Sequence, residues 1–220
     1  MIEATYIDHM GSDLSTVNAA RVSFGKQSDW QQESKGAPPQ LSAKDDKLVG
    51  YLANHGHFSP FGHATATFHV RAPIFVARQL VKHKFLRWNE ISRRYVDDDP
   101  EFYSPNAWRK KAGDKKQGSS DEMPFSSNIH NSILQHNMAS ANLYKYLLNL
   151  GVYEEQARMV LPASLMTEWY WTGSLDAFAN MCNLRCKPDT QQETRLVANQ
   201  ICVKMRELFP VSWLALRGLQ

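Results

Sequence analysis

Apolar positions change period several times along this chain, and each change marks an expected element. In residues 1–9, Ile2, Ala4 and Tyr6 alternate with Glu3 and Thr5, the period of a strand with one buried face. Ser12 or Asp13 then caps a short helix over 14–21, ending near Val22-Ser23-Phe24. The stretch 25–44 is polar, carries two prolines and two glycines, and reads as a mobile loop. Leu48, Val49 and Leu52 return at helical spacing over 45–55, and Gly56 stops that helix. Residues 63–70, rich in Thr, Phe and Val, read as a strand. A helix follows with Pro73 in its first turn and Ile74, Phe75, Leu80 and Val81 as apolar anchors. Segment 89–95 is short and rich in donors, like a loop entering a strand.

In the second half, Ser126 or Ser127 caps a long helix reaching Leu150. Its expected buried stripe is Ile129, Ile133, Leu134, Leu143, Leu147 and Leu148. A helix over 153–161 carries Arg158, and a strand is expected over 162–171, where Leu165, Trp169 and Trp171 alternate. Ser174 caps a short helix with Leu175, Phe178 and Cys182 facing inward and Asn180 and Arg185 on its exposed side or at its end. A long helix from Pro188 to Phe209 is anchored by Leu196, Val197, Ile201, Met205 and Leu208, and an amphipathic piece over 213–219 finishes the chain. No internal repeat is visible. Helices outnumber strands and strands bracket them, so the expected class is α+β: a mixed or antiparallel sheet with flanking helices and a helical annex, in one domain spanning 1–220.

Composition narrows the function. With 43% apolar and 11% aromatic residues in 220, the chain can bury a sizeable core. A net charge of +3 is not the basic footprint of a dedicated nucleic-acid binder. No run approaches a membrane span and the N-terminus has no apolar signal core, so a soluble, cytoplasmic protein is expected. Cys182, Cys186 and Cys202 are odd in number, and no further Cys or Cys/His pair completes a zinc set, so reduced, partly buried thiols are expected. His55, His57, His63 and His69 have no Asp or Glu among them and no H-E-x-x-H spacing, which argues against a metal. Residues 97–99, three aspartates in a row, read as a solvated turn and the segment 110–116 as an exposed loop. No metal site is expected.

The chemistry gathers between positions 71 and 95. Arg78, Gln79, Lys82, His83, Lys84, Arg87, Asn89, Glu90, Ser92, Arg93, Arg94 and Tyr95 crowd one stretch, interleaved with Trp88 and Ile91. A solvated charged face would not alternate in this way with aromatics and single-bond amides. Arg and Lys grip phosphate as a fork and as a point charge, Asn and Gln pair with a heterocycle's edge, and rings cover its face. There is no G-x-G-x-x-G unit, Walker loop, G-x-S-x-G elbow or Ser/His/Asp set. The residues therefore suit an anionic, planar ligand and electrostatic stabilisation, not a covalent nucleophile.

KHKFLRWNEISRRY, residues 82–95, resembles the signature of flavin-dependent thymidylate synthases, Arg-His-Arg-x-x-Ser-x-Asn-x-x-Ser-x-Arg-Tyr. His83, Asn89, Ser92, Arg94 and Tyr95 match it; Lys82 and Lys84 replace arginines and Arg87 replaces a serine. NAARVSF, HGHFSPFGHATATFHVRAPIFVARQ, EFYSP, LPASLMTEWYWT and NLR are similar to family segments in the same order, so most of the chain is covered.

The resemblance implies an enzyme that makes dTMP from dUMP, with methylenetetrahydrofolate as carbon donor and NADPH as reductant acting through bound FAD. It implies a homotetramer with shared active sites. By position, Ser23, His57, Ser59, Lys82, His83, Lys84, Glu90 and Asn180 would touch FAD. Gln79, Glu90, Ser92, Arg93, Arg94 and Arg158 would hold dUMP, and Arg185 would contact the uracil and favour its N3-deprotonated form, the catalytic role. Lysine at 82 and 84 keeps charge without the bidentate fork, which implies a weaker or shifted hold on the flavin. Ser174 and Asp176 stand where relatives often offer Asn and Arg, and Gly62 lacks a side chain that relatives often supply. Two other readings remain open: a dUMP hydroxymethylase or related pyrimidine-nucleotide enzyme on the same scaffold, and a non-catalytic nucleic-acid-binding module that stacks bases on Trp88 and Tyr95.

Overall fold

The computed structural model describes residues 1–32, 34–111, 113, 119–122 (backbone alone) and 126–218. In chain order the elements are β1 (Glu3–Met10), α1 (Asp13–Arg21), α2 (Ala43–Asn54), β2 (Thr65–Pro73), α3 (Ile74–Leu80), β3 (Leu86–Glu90), β4 (Arg109–Lys111), β5 (Ser119–Glu122), α4 (Ser127–Asn149), α5 (Glu154–Ala157), β6 (Met166–Ser174), α6 (Leu175–Arg185), α7 (Gln192–Leu208) and α8 (Pro210–Arg217). Four strands form one antiparallel sheet in the order β1-β2-β6-β3, and β4 pairs with β5 separately. The class is α+β, as the sequence indicates, and the sheet is antiparallel.

Period-two alternation puts Ala66, Phe68, Val70 and Ala72 of β2 on the core face, each no more than 1% exposed. Register sets Phe68 opposite Trp171 and Val70 opposite Trp169, while Trp88 of β3 stands opposite Trp171. Trp88 stacks on Trp169 at 4.3 Å between ring centroids, and Phe178 of α6 meets Phe68 and Trp171 edge-on at 5.3 and 5.5 Å. Val197, Ile201 and Met205 of α7 complete this layer. Gly173 of β6 faces Leu86; a Cβ there would lie 2.9 Å from the Phe85 carbonyl oxygen, so only glycine lets β3 approach. The opposite sheet face is polar: Thr67 and Thr172 share a 2.9 Å hydrogen bond, and His69 lies 3.4 Å from Glu168.

The helical side is tied to the chain's start. The buried carboxylate of Asp13 accepts from the backbone N–H groups of Val211 and Ser212, satisfying the first turn of α8 across nearly the whole sequence. Among the described residues no helix is long and apolar enough to cross a membrane.

Several expectations are corrected. The loop-then-strand order expected over 89–95 is reversed: the strand comes first, as β3, because Trp88 must pair beside Trp171. The strand expected from residue 63 starts at Thr65, because His63 ends a 3-10 turn. Residues 158–160 form a 3-10 turn after α5, not a continuous helix over 153–161. Ser174 makes no side-chain capping bond, being the last residue of β6, and α7 starts at Gln192, past Pro188. Leu196 is 42% exposed. On α4 the buried line is Asn137, Ser140 and Tyr144, whereas Leu134 and Leu143 are 49% and 45% exposed. Along this line Ser140 Oγ donates to the Val160 carbonyl and Asn137 accepts from Ser164, while Ile129, Ile133, Leu147 and Leu148 of the expected stripe are half-buried. Of the expected loop over 110–116, residues 112 and 114–116 lie outside the described residues, as does 219 at the end of the last piece, while Lys110 and Lys111 belong to β4.

Candidate active site

Two separate constructions gather the polar residues of the central stretch. The first is a corner where α3 and α6 end. Val81 to Phe85 turn out of α3, with Phe85 in the left-handed region at φ 63° and 82% exposed. This turn swings His83 inward, while Lys82, Lys84 and, on β3, Arg87 stay exposed. Arg185, the last residue of α6, donates from Nε to His83 Nε2 at 3.0 Å and from one terminal nitrogen to the Gln79 carbonyl at 3.3 Å. Burial, and then the Arg185 guanidinium, push His83 down to about 4, so its imidazole is neutral and able to accept that bond. The Gln79 side chain is held from both ends: its amide nitrogen donates to Gln191, and its oxygen accepts from Thr194 at 3.1 Å. A neutral acceptor and a fixed carbonyl thus aim one guanidinium, whose other terminal nitrogen has no partner among the described residues.

The second construction is a cleft of about 270 Å³ at the far end of the sheet, whose lining includes Arg71, Glu90, Ile91, Arg93, Arg158 and Met166. Glu90 closes β3 and is fixed by two donors, Thr167 Oγ1 at 2.7 Å and Trp88 Nε1 at 3.0 Å. Arg93 is folded back on the Asp98 backbone oxygen at 2.8 Å and lies over the Tyr144 ring at 5.9 Å. Arg71 pairs with Glu101. Arg158 donates only to the Glu155 carbonyl at 3.3 Å, so among the described residues it is the cleft arginine with no carboxylate partner. Arg94 lies at the same end, 3.7 Å from Glu155 and 5.2 Å from the Tyr95 ring. Ser92 is half-buried in the turn and accepts from the Arg94 N–H at 3.3 Å.

The structure thus brings Glu90, Arg93 and Arg158 to one cleft, and His83, Gln79 and Arg185 to one corner. Ser23, His57, Ser59, Lys82, Lys84 and Asn180 are exposed on separate stretches, and among the described residues no side-chain hydrogen bond joins any of them to another. Asp98 and Asp99 face Arg93 and Lys145, at 3.4 and 2.6 Å, so the aspartate run neutralises cations. Thr167, Gln191 and Thr194 are fixing residues that sequence reading misses. They lie between 77 and 115 positions from the groups they hold, and a lone Thr or Gln carries no spacing signal.

An antiparallel sheet whose end and corner carry aimed guanidinium groups has the equipment for an anionic ligand and for electrostatic stabilisation of a group transfer. Comparison with known proteins gives the family. The family described as "Thymidylate synthase complementing protein" matches residues 5–211. A flavin-dependent thymidylate synthase of Thermus thermophilus is 39% identical over 210 residues, covering 95% of this chain and 73% of the relative. That of Thermosipho africanus is 38% identical over 206 residues, covering 93% and 86%. Among solved structures, the UMP/dUMP methylase PolB from Streptomyces cacaoi bound with 5-Br dUMP superposes with a TM-score of 0.82 at 31% identity, covering 99% of this chain and 95% of that one. The chain belongs to the flavin-dependent thymidylate synthase family, a family of methyltransferases.

Proposed function

We propose that this enzyme methylates dUMP to dTMP, taking the carbon from methylenetetrahydrofolate and reducing equivalents from NADPH through FAD. Family membership and the neighbour's 5-Br dUMP complex support the nucleotide. The observation in this chain that carries it is Arg158, a cleft guanidinium without a carboxylate partner among the described residues, lining the same cleft as Glu90. Arg158 with Arg93, Arg94 and Ser92 holds the phosphate and sugar, and Gln79 and Glu90 border the base.

Arg185 is the catalytic residue in this reading. Its guanidinium, aimed by neutral His83, does not line the Arg158 cleft of its own chain. The corner of one subunit therefore completes the cleft of another and stands beside the charge that develops on the uracil; each ~1.4 kcal/mol of preference for the anion lowers that group's pKa by about one unit. The chain's donor set suits a flavin's pyrophosphate: Lys82, Lys84 and Arg87 are exposed and, among the described residues, none is in an ion pair. Ser23, His57, Ser59, His83 and Asn180 complete the flavin contacts, with Glu90 at the boundary between flavin and nucleotide. When bound, the flavin supplies the hydride. Asp176, which would repel a phosphate, sits in the first turn of α6, where the helix dipole offsets its charge.

Because the flavin-directed positions lie apart in one chain, the site is shared between subunits of a homotetramer. Exposed Leu134 and Met138 on one side of the α4 seam, and Leu143, Tyr146 and Leu150 on the other, offer the contact surface.

The test is an absorption spectrum of the purified protein with and without dUMP, followed by turnover with mass analysis of the product. A yellow protein whose flavin bands shift on adding dUMP, and a product heavier by one CH2 as a methyl group replaces a ring hydrogen, are expected. A hydroxymethyl product, or a colourless protein that takes up no FAD, overturns the reading. The neighbour's dual description as a UMP/dUMP methylase, solved also with 5-Br UMP at a TM-score of 0.80, makes UMP the second substrate to assay.

A further inference from the structure

Apart from the groups of the cleft and the Arg185 corner, the described residues hold one cluster of metal-ligating groups, and it is made of sulphur. The Sγ atoms of Cys182, Cys186 and Cys202 all lie within 4.8 Å of one another, and none is in a disulfide. Cys186, the residue that follows α6, donates its N–H to the carbonyl of Cys182 one turn earlier, so the two share a face, and Cys202 meets them from α7, which packs alongside. Cys182 is fully buried and the other two are half-buried, which gives the cluster a floor and an open side. A second observation points to a ligand: Trp213 Nε1 and Arg217 Nε, both on α8 beside Cys202, are buried donors without an oxygen or nitrogen acceptor. Buried donors normally find an acceptor, and a thiolate supplies one where a thiol scarcely does.

We propose that Cys182, Cys186 and Cys202 form a trithiolate site for a thiophilic d10 cation such as Zn2+ or Cd2+. Sulphurs about 2.3 Å from a shared ion stand about 4 Å apart, so the site closes with sulphur movements of roughly an ångström or less. Soft thiolates select such ions over Mg2+ or Ca2+. Binding releases one proton from each thiol. Three thiolates and a dication leave one net negative charge, which faces the Arg217 guanidinium, itself anchored on Asn183 Oδ1 at 2.6 Å. The open side leaves a fourth coordination position for water. The sequence spacing concealed this site because the third ligand lies on the next helix.

The test uses the full-length, reduced, metal-free protein with its flavin, titrated with Cd2+ and followed by the ultraviolet thiolate-to-metal charge-transfer band. The expected result is a band that saturates at one equivalent, is displaced by Zn2+ in excess, and is accompanied by a rise in Tm. Cys202→Ser loses both effects and keeps flavin binding; should that variant fail to fold, Cys186→Ser serves in its place. No saturable band, or equal Cd2+ binding in the serine variants, overturns the proposal and leaves the thiols as packing.

Discussion

Arg185 Nε donates to His83 Nε2 at 3.0 Å, a bond that ties the end of α6 to the turn leaving α3 across 102 positions of sequence. The bond requires a neutral imidazole, and the site supplies one by burying His83 next to the very guanidinium it orients. Removing this guanidinium is the most direct test of the reaction. Arg185→Ala is expected to lower turnover roughly 10²-fold or more, the scale of losing one aimed electrostatic donor. It should leave the far-ultraviolet circular dichroism unchanged, since Arg185 ends its helix. Near-normal kcat would remove its assigned role.

The same pair makes stability depend on pH. His83 titrates near 4 in the native protein against an ordinary 6.5, so between those values the unfolded chain binds more protons than the folded one. Stability therefore falls as pH drops through about 6.5 towards 4, and is fully recovered above that window. His83→Gln should flatten this part of the profile. Urea midpoints at pH 7 and pH 5 measure it, and an unchanged slope in the variant would assign the dependence to other groups.

Flavin retention should answer to the exposed cations of the turn. Lys82→Ala is expected to weaken FAD retention severalfold, most visibly at raised ionic strength, with little change in Tm; Lys84→Arg, which restores a bidentate fork, should tighten it. Flavin absorbance after gel filtration reads both. Equal retention in all three proteins would show that the phosphates sit elsewhere.

Arg109 carries a structural prediction. It is bound to the buried Glu193 at 2.8 Å, and Tyr103, whose hydroxyl donates to the same carboxylate, is pushed up to about 12, chiefly by burial. Breaking a buried pair leaves one charge uncompensated, so Arg109→Ala should cost about 3 kcal/mol in urea unfolding. A loss well under ~1 kcal/mol would mean that water reaches Glu193.

The exposed side of α4 predicts assembly. Leu143→Asp places a charge on a surface that the single chain leaves open, so it should spare the fold of the subunit while lowering the mass in solution and the activity together. Light scattering that shows one mass for both proteins would exclude α4 as the contact.

Local pattern carried much of this protein. The alternation of Phe68 with Val70 and of Trp169 with Trp171, the Ser126 cap and the left-handed Gly56 specify strands and helix ends within a few residues, because pleat period and capping chemistry are short-range properties. The signature at 82–95 likewise exposed the anionic ligand, since cations and amides need only sit close together to be noticed. What the chain alone left undecided is everything that depends on partners far along it. Packing against α6 turned His83 from a basic-helix residue into a neutral anchor; Thr167 and Trp88 fixed Glu90; Tyr144, not leucine, became the seam of α4; and Cys202 joined two thiols from another helix. These arrangements arise from how the sheet and helices close on one another, and residue spacing along one element holds no record of that closure.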